Sequence, residues 1–290
     1  MVTIIDGSGL LYRVQKALLR DEEVSYHKLI VGFMKLLLSF LILEKSKKIF
    51  VLFDWKGTVS AYRQGIYPEY KAHRHSTETE TEKKAHKAAL TFLISELPKL
   101  GFCTVCIGCV EADDIAFYLA HKYEKGLLLS RDNDWKLNLF PGWTLFIPFS
   151  DTAITYENFE GEWGPLPRLW YTYYKSLVGD TADGVPGVKG IGEKRARQFI
   201  TDVRSGVSSK YMSKVIADFD VVERNLFLLS PEWILKDKVI QKEIEEAATN
   251  YVIPNNLQLS FNTFCGKIKK SGSELVMQFF NYECIMEGIE

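Results

Sequence analysis

The sequence lacks an uninterrupted apolar run of the roughly 18 to 20 residues that a membrane-spanning helix needs. The stretch Leu36 to Leu43 is broken by Ser39. Met1 to Asp6 has no basic region ahead of its few apolar residues and soon reaches an acid, so it reads as a core strand and not as a signal peptide. Both absences predict a cytoplasmic protein without a membrane partner. Cysteine is scarce: five residues, an odd number in a chain too large to need staples, predict reduced thiols. Cys103, Cys106 and Cys109 have ligand-like spacing, but GFCTVCIGCV reads as a strand, where a spacing of three sends side chains to opposite faces. Small buried residues are the plainer reading. No repeat of solenoid length is present. Charge of one sign is also missing, because 36 Lys and Arg stand against 37 Asp and Glu for a net of −1. Taken alone, this balance argues against a polyanionic partner.

What the chain does have is 290 residues, 47% hydrophobic and 13% aromatic, enough to bury a large core in one or two domains. In the first half, short apolar runs alternate with amphipathic stretches, the pattern of an α/β domain with a mostly parallel sheet. VTIID, KIFVLFD, FCTVCIG, GLLLS and TLFIP are the predicted strands. A long insertion, roughly Trp55 to Leu100, separates the second from the third. It is polar and rich in Thr and Glu before turning helical, and a connection of that length is functional or disordered. Glu78, Glu80 and Glu82 read there as a solvated loop. From about Leu166 helical periodicity takes over. The predicted helices are Arg168 to Leu177, Glu193 to Val203, Ser209 to Asp218, Val221 to Leu229 and Lys236 to Tyr251, followed by an amphipathic tail segment, Glu274 to Ile285.

Acids sit at or just past the ends of four strands. Asp6 ends the first and Asp54 the second, Glu111, Asp113 and Asp114 follow the third, and Asp132 and Asp134 follow the fourth. Each alone could be a surface acid, a helix cap or a turn residue. Together they would repel one another by several kcal/mol in the crevice at the strand ends unless a cation neutralised them. Hard oxygen donors at that density suit Mg²⁺ or Mn²⁺, and two such ions about 4 Å apart can activate water and stabilise both oxygens of a phosphoryl displacement. Asp180 and Asp183, three residues apart at a predicted helix end, would face the same way and join the site.

The segment GVPGVKGIGEKRARQFI carries Gly184, Gly187, Gly190 and Gly192 and then opens a basic helix. Seven basic residues (Lys189, Lys194, Arg195, Arg197, Arg204, Lys210 and Lys214) face two acids, Glu193 and Asp202, in this stretch. Three readings stand: a dinucleotide loop, which lacks the preceding strand it needs; a glycine turn with a solvated basic face; and a loop that grips duplex phosphates without reading sequence.

MVTIIDGSGLLYR, FVLFDWKG, YPEYKAHR, VEADDIA, LLSRDNDW and VGDTADGVPGVKGIGEKRA, in this order, resemble the flap endonuclease/5′-exonuclease family over about residues 2 to 200. The similarity is greatest to the stand-alone phage 5′ nucleases, including the T-even phage ribonuclease H type, and to the 5′-nuclease domain of bacterial DNA polymerase I. The resemblance implies a PIN-like α/β nuclease domain over 1–165 with a helical arch at about 60–100. It also implies a helical region over 166–290 with a helix–three-turn–helix duplex-binding motif at about 176–215. Asp6, Asp54, Glu111, Asp113 and Asp114 would serve one metal site and Asp132, Asp134, Asp180 and Asp183 the second. Lys71 and Arg74 would contact the scissile phosphate and Tyr70 would stack on a nucleotide. Lys83, Lys84 and Lys87 would line the arch. Gly187, Lys189, Gly190, Gly192, Lys194 and Arg195 would hold the duplex, with K⁺ at the glycine loop in many relatives. Departures from the family pattern are Arg131 where Thr or Ser is frequent, Asn133 for Gly, and Gly9 for Asn.

The implied function is divalent-metal-dependent 5′-3′ exonuclease and flap endonuclease activity in replication. Its substrates would be DNA with single-strand/duplex junctions such as 5′ flaps and nicks, with RNA primers in RNA·DNA hybrids left open. The implied form is a phage-encoded monomer acting beside replisome proteins. Two alternatives are a catalytically inactive junction-binding scaffold, which need not keep acids that repel, and a metal-dependent phosphatase of small phosphoesters, which has no use for a basic glycine loop. The charge balance then takes a different meaning. Without the nine site acids, 28 acids remain against 36 basic residues, so an acidic pit lies in a basic surface.

Overall fold

The structure, a computed structural model, describes residues 1–19, 25–41, 48–55, 59–73, 78–150 and 152–268. Short runs of Val, Ile, Leu and Phe that are buried on both faces form parallel strands, as continuous apolar runs do when helices cover a sheet on both sides. These are β1 (Val2–Asp6), β2 (Lys48–Leu52), β3 (Cys103–Val105), β4 (Gly126–Leu129) and β5 (Trp143–Ile147), each within a predicted strand or overlapping it. An antiparallel edge strand, β6 (Thr152–Thr155), was not anticipated. Its TAIT sequence is too short and too exposed to give a period-two signal. The sheet order is β3-β2-β1-β4-β5-β6, so the chain reverses direction across the sheet between β1 and β4. That switch point opens a crevice at the carboxyl ends of the strands.

Alternate residues of each strand feed two cores. Ile4, Phe50, Leu52, Val105 and Leu128 enter one hydrophobic cluster, and Ile5, Ile49, Val51, Phe53 and Leu129 enter the other. The second is closed by α1 (Gly7–Leu18), α2 (Tyr26–Leu41) and, beyond the short α3 (Ala61–Ile66), by α4 (Glu80–Glu96). The first is closed by α5 (Ala112–Lys122) and the helices that follow β6: α6 (Tyr156–Trp163), α7 (Pro167–Val178), α8 (Glu193–Arg204), α9 (Met212–Ala217), α10 (Phe219–Leu229) and α11 (Lys238–Thr249). A last helix, α12 (Leu257–Lys267), returns to the opposite face through Phe261, Phe264 and Cys265. No helix among the described residues is long and apolar enough to cross a membrane.

The Thr/Glu stretch is not a solvated loop where it is described. Thr79 and Glu82 form a capping box at the start of α4, Glu80 pairs with Lys83 at 2.8 Å, and Glu78 accepts from the buried Gln15 of α1 at 2.8 Å. Cys103 is buried in β3, whereas Cys106 is half-buried and Cys109 exposed, so the three thiols do not cluster. Cys284 and the tail segment Glu274 to Ile285 lie outside the described residues.

Candidate active site

Asp6 ends β1 at the switch point. Its carboxylate accepts from the Gly9 amide and from the Ser130 hydroxyl just past β4, each at 2.7 Å. Asp54, two residues beyond β2, accepts from the Ala112 amide at 2.7 Å and so fastens that strand to the start of α5. Glu111 caps α5 from an extended backbone, and Asp113 and Asp114 occupy its first turn, where the helix dipole favours negative charge. Asp132 accepts from the Asp134 amide at 2.9 Å and opens a short 3-10 turn.

Asp180 and Asp183 do not share a helix end. The helix α7 stops at Val178, Asp180 belongs to a two-residue strand β7 (Gly179–Asp180) paired with β8 (Val185–Pro186), and Asp183 lies in the turn between them. The Asp180 carboxylate accepts from the amides of Ala182 and Asp183 at 2.9 and 3.1 Å. Two glycines of the following loop, Gly179 and Gly187, pack backbone against backbone with no room for a Cβ on either.

Three basic side chains stand among these acids, and two of them, Arg63 and Lys175, were not anticipated. Arg63 of α3 is buried. It holds Asp114 with both terminal nitrogens at 2.6 and 2.9 Å, reaches Glu111 at 3.1 Å, and donates through Nε to the Leu228 carbonyl at 3.0 Å. Lys71 adopts a left-handed backbone (φ 58°), its amide bonds to the Asp183 carbonyl, and its ammonium lies 2.8 Å from Glu111 and 3.9 Å from Asp183. Lys175 of α7 bridges Asp134 and Asp180 at 2.8 and 2.7 Å. The signal in sequence was weak: a lone lysine in the aromatic run LWYTYYKSLV and an arginine in the polar insertion.

Two of the expected site residues are buried and engaged with protein partners. Tyr70 is only 2% exposed and points its hydroxyl at Glu111 (3.1 Å) and Asp183 (2.9 Å), with Lys71 and Arg63 over its ring. It orders the acids and offers no open ring face to a nucleobase here. Asp114 is fully buried, and its two oxygens are taken by Arg63 and the Trp233 indole (3.2 Å). In this arrangement it anchors Arg63, and every bond it makes runs to the protein. Arg74 lies outside the described residues. Of the lysines expected to line an arch, Lys84 and Lys87 are exposed on α4 and Lys83 is bound to Glu80. In the glycine loop the Lys189 amide donates to Asp218 and the Arg195 guanidinium to the Gly190 carbonyl (2.6 Å). Gly192 leads into α8 with open space above it, and Lys194 and Arg195 are exposed on its first turn.

The pit is short of positive charge despite its three bases. Burial pushes Asp6 up to about 7, with Asp54 and Asp132 adding to the rise. Burial and Asp114 raise Asp113 well above the carboxylate range, and burial and Asp134 raise Asp132. Glu111 and Asp180 go the other way: burial opposes their ionisation, but Arg63 and Lys71 hold Glu111 low and Lys175 holds Asp180 low. Glu111 Oε1 is buried without a hydrogen-bond donor. A void of about 10 Å³, close to the size of one water, lies between Arg63, Tyr70, Asp113, Asn138, Asp134 and Asp183. Among the described residues no three carboxylates converge on a point as they stand, with Arg63, Lys71 and Lys175 between them. The all-oxygen donor set, the orphaned Glu111 oxygen and the raised Asp6, Asp113 and Asp132 nevertheless fit a hard divalent cation.

This electrostatic state makes a prediction. An acid whose folded pKa is raised contributes stability below its unfolded pKa, about 4, and loses it as pH rises through the folded value. The metal-free protein should therefore lose stability between about pH 4 and pH 7, the window set by Asp6. Mg²⁺ binds the ionised form, so its effect should run oppositely: excess Mg²⁺ should raise Tm by about 5 °C at pH 8 and by little at pH 5. Thermal melts across pH with and without Mg²⁺ check this, and a pH-independent Mg²⁺ effect would count against the pit.

A family model for the 5′-3′ exonuclease N-terminal resolvase-like domain matches residues 1–160. The thermostable DNA polymerase I of Thermus thermophilus is 34% identical over 211 residues, which cover 69% of this chain and 24% of that protein. The chain thus spans about a quarter of the length of such polymerase relatives. A 5′-3′ exonuclease of Buchnera aphidicola is 30% identical over 72% of this chain and 73% of its own length. Among solved structures, the D15 protein of T5 co-crystallised with metal ions superposes with a TM-score of 0.66 at 24% identity, covering 86% of this chain and 97% of that one. The bacteriophage T5 D15 flap endonuclease complexed with DNA and metal ions does so with a TM-score of 0.63 at 22% identity, covering 93% and 99%. The matched residues contain β1 to β5 with every acid from Asp6 to Asp134, and the chain belongs to the 5′-3′ exonuclease family.

Proposed function

We propose that this chain is a structure-specific 5′ nuclease that hydrolyses a phosphodiester beside a single-strand/duplex junction, leaving a 5′-phosphate and a 3′-hydroxyl. The observation that carries the reading is the pit at the β1/β4 switch point, where acids from five separate segments gather with Lys71 and Lys175 among them. Asp6, Asp54, Glu111 and Asp113 on one side and Asp132, Asp134, Asp180 and Asp183 on the other would hold two Mg²⁺ or Mn²⁺ ions. Such ions supply an ionised water and neutralise charge on the oxygens of the phosphodiester.

The chain's own groups do the rest. Lys71 stands 2.8 Å from Glu111 and can exchange that contact for a phosphate oxygen when a cation takes over the acid. Arg74, three residues further on, is proposed to act with it. Tyr70 and Arg63 keep Glu111 aimed into the pit. The arch, with Lys83, Lys84 and Lys87, would pass the 5′ strand. The loop from Gly187 to Gly192, with Lys189, Lys194 and Arg195, would hold the duplex by its backbone as part of a helix–three-turn–helix element. K⁺ at that loop would need carbonyls other than that of Gly190, which Arg195 already holds. We assign the nuclease domain to 1–165 and the helical duplex-binding region to 166–290. The proposed setting is a monomer removing flaps, and RNA primers from RNA·DNA hybrids, alongside replisome proteins.

Assaying a labelled 5′ flap, a nicked duplex, an RNA·DNA hybrid and p-nitrophenyl phosphate side by side in Mg²⁺ tests the proposal. Cleavage of the nucleic acids alone is expected. Turnover of the small ester alone would make the protein a phosphatase, and tight flap binding with no product would make it a scaffold.

A further inference from the structure

A cleft of about 510 Å³ opens beside the pit and shares Asp6 and Asp132 with it, but its remaining charge is positive: Arg13, Lys16 and Arg131 line it with Tyr12. None of the three basic groups is held in an ion pair among the described residues. Arg13 sits over Phe149, its guanidinium carbon 4.5 Å from the ring centroid, a cation–π contact that fixes its place without neutralising its charge. Phe149 is itself held unusually, 52% exposed in a left-handed backbone (φ 64°) with Phe40 against its edge. A bulky residue in that conformation is strained, and such strain is concentrated at functional sites. Arg131 lines the same cleft, reaching the Pro148 carbonyl at 3.5 Å, and lies close enough to Arg13 for the two charges to oppose each other.

Two guanidiniums lining one cleft, one placed over an aromatic ring and neither ion-paired among the described residues, describe an anion site. Its neighbours narrow the choice of anion. The same cleft contains Asp6 and Asp132, so whatever lies in it lies next to the reacting phosphate, within one or two nucleotides along a strand. We infer that Arg13 and Arg131 form a clamp for one phosphate flanking the one that is cut, with the attached nucleoside in the cleft. The inference rests on the nuclease reading above and adds to it an anchoring point separate from Lys71, which does not line this cleft. The clamp fixes how far the strand slides before cutting, so its loss should blur the cut position as well as weaken binding.

The test is a cycle between protein and DNA. Flap substrates carrying one neutral methylphosphonate at successive positions around the cut are bound, in Ca²⁺ in place of Mg²⁺, to wild type, Arg13→Ser, Arg131→Ser and the double variant. Wild type should lose about tenfold in affinity at one flanking position, and the double variant should lose less than about twofold there. Each single variant should bind unmodified flap several-fold more weakly and, in Mg²⁺, cut it at more than one position. Arg131 is exposed, so its variant should melt with wild type, separating a binding loss from a folding loss. Equal methylphosphonate losses in wild type and double variant overturn the clamp while leaving the nuclease reading intact. Failure of wild type to bind or cut flap at all removes both and is seen before any variant is made.

Discussion

Asp132→Asn is expected to reduce flap cleavage by about a thousandfold while leaving flap affinity within a few-fold of wild type. The substitution is isosteric, and an Asn oxygen can still accept from the Asp134 amide as Asp132 does at 2.9 Å, so the 3-10 turn survives. What disappears is one charge from a place where burial and Asp134 already raise the carboxyl pKa and where Asp6 is a neighbour. Removing a charge that repels its neighbours should leave the metal-free protein as stable as wild type or more so. The Mg²⁺-dependent rise in Tm should shrink. Single-turnover cleavage and paired melts measure both effects. Wild-type cleavage, or an undiminished Mg²⁺ effect, would remove Asp132 from the metal set.

The second large effect concerns stability. Arg63→Met should cost about 3 to 5 kcal/mol, because it strips both donors from the fully buried Asp114 and one from the Leu228 carbonyl. The ion pair joins three parts of the molecule: α3, α5 in the pit, and the segment carrying Leu228 and Trp233. Pairing the change with Asp114→Leu should recover a good part of the loss, since an apolar pair leaves no orphaned charge. Urea unfolding of the single and double variants decides. A cost under about 1 kcal/mol for the single variant would mean that Asp114 finds other partners.

The contrast between Asp132 and Asp114 also shows what was legible in the sequence. Buried parallel strands are written as local apolar runs, and an acid following each run is equally local, so the sheet and its rim of carboxylates could be read directly. Which acids face the pit could not. Arg63 lies 51 residues from Asp114, and Trp233 lies 119 from it, separations that leave no periodic trace. Asp113 and Asp114 are adjacent in sequence, yet the helix turns one toward the void between the acids and the other into the protein. The contacts of Tyr70 were hidden for the same reason, since its hydroxyl donates to Asp183, 113 residues away. Asp180 and Asp183 were read as a helix end because their spacing suits one, but Gly179, at φ 77°, stops α7 first.

The central claim is that the acidic pit hydrolyses a phosphodiester of a 5′-flapped duplex in a metal-dependent reaction. Incubating the protein with a flap labelled at both ends, in Mg²⁺ and in EDTA, tests it most directly when the product termini are read. Cleavage near the junction is expected in Mg²⁺ alone, giving a 5′-phosphate on the duplex and a 3′-hydroxyl on the released strand. Equal cleavage in EDTA, or an intact flap in Mg²⁺, would contradict it.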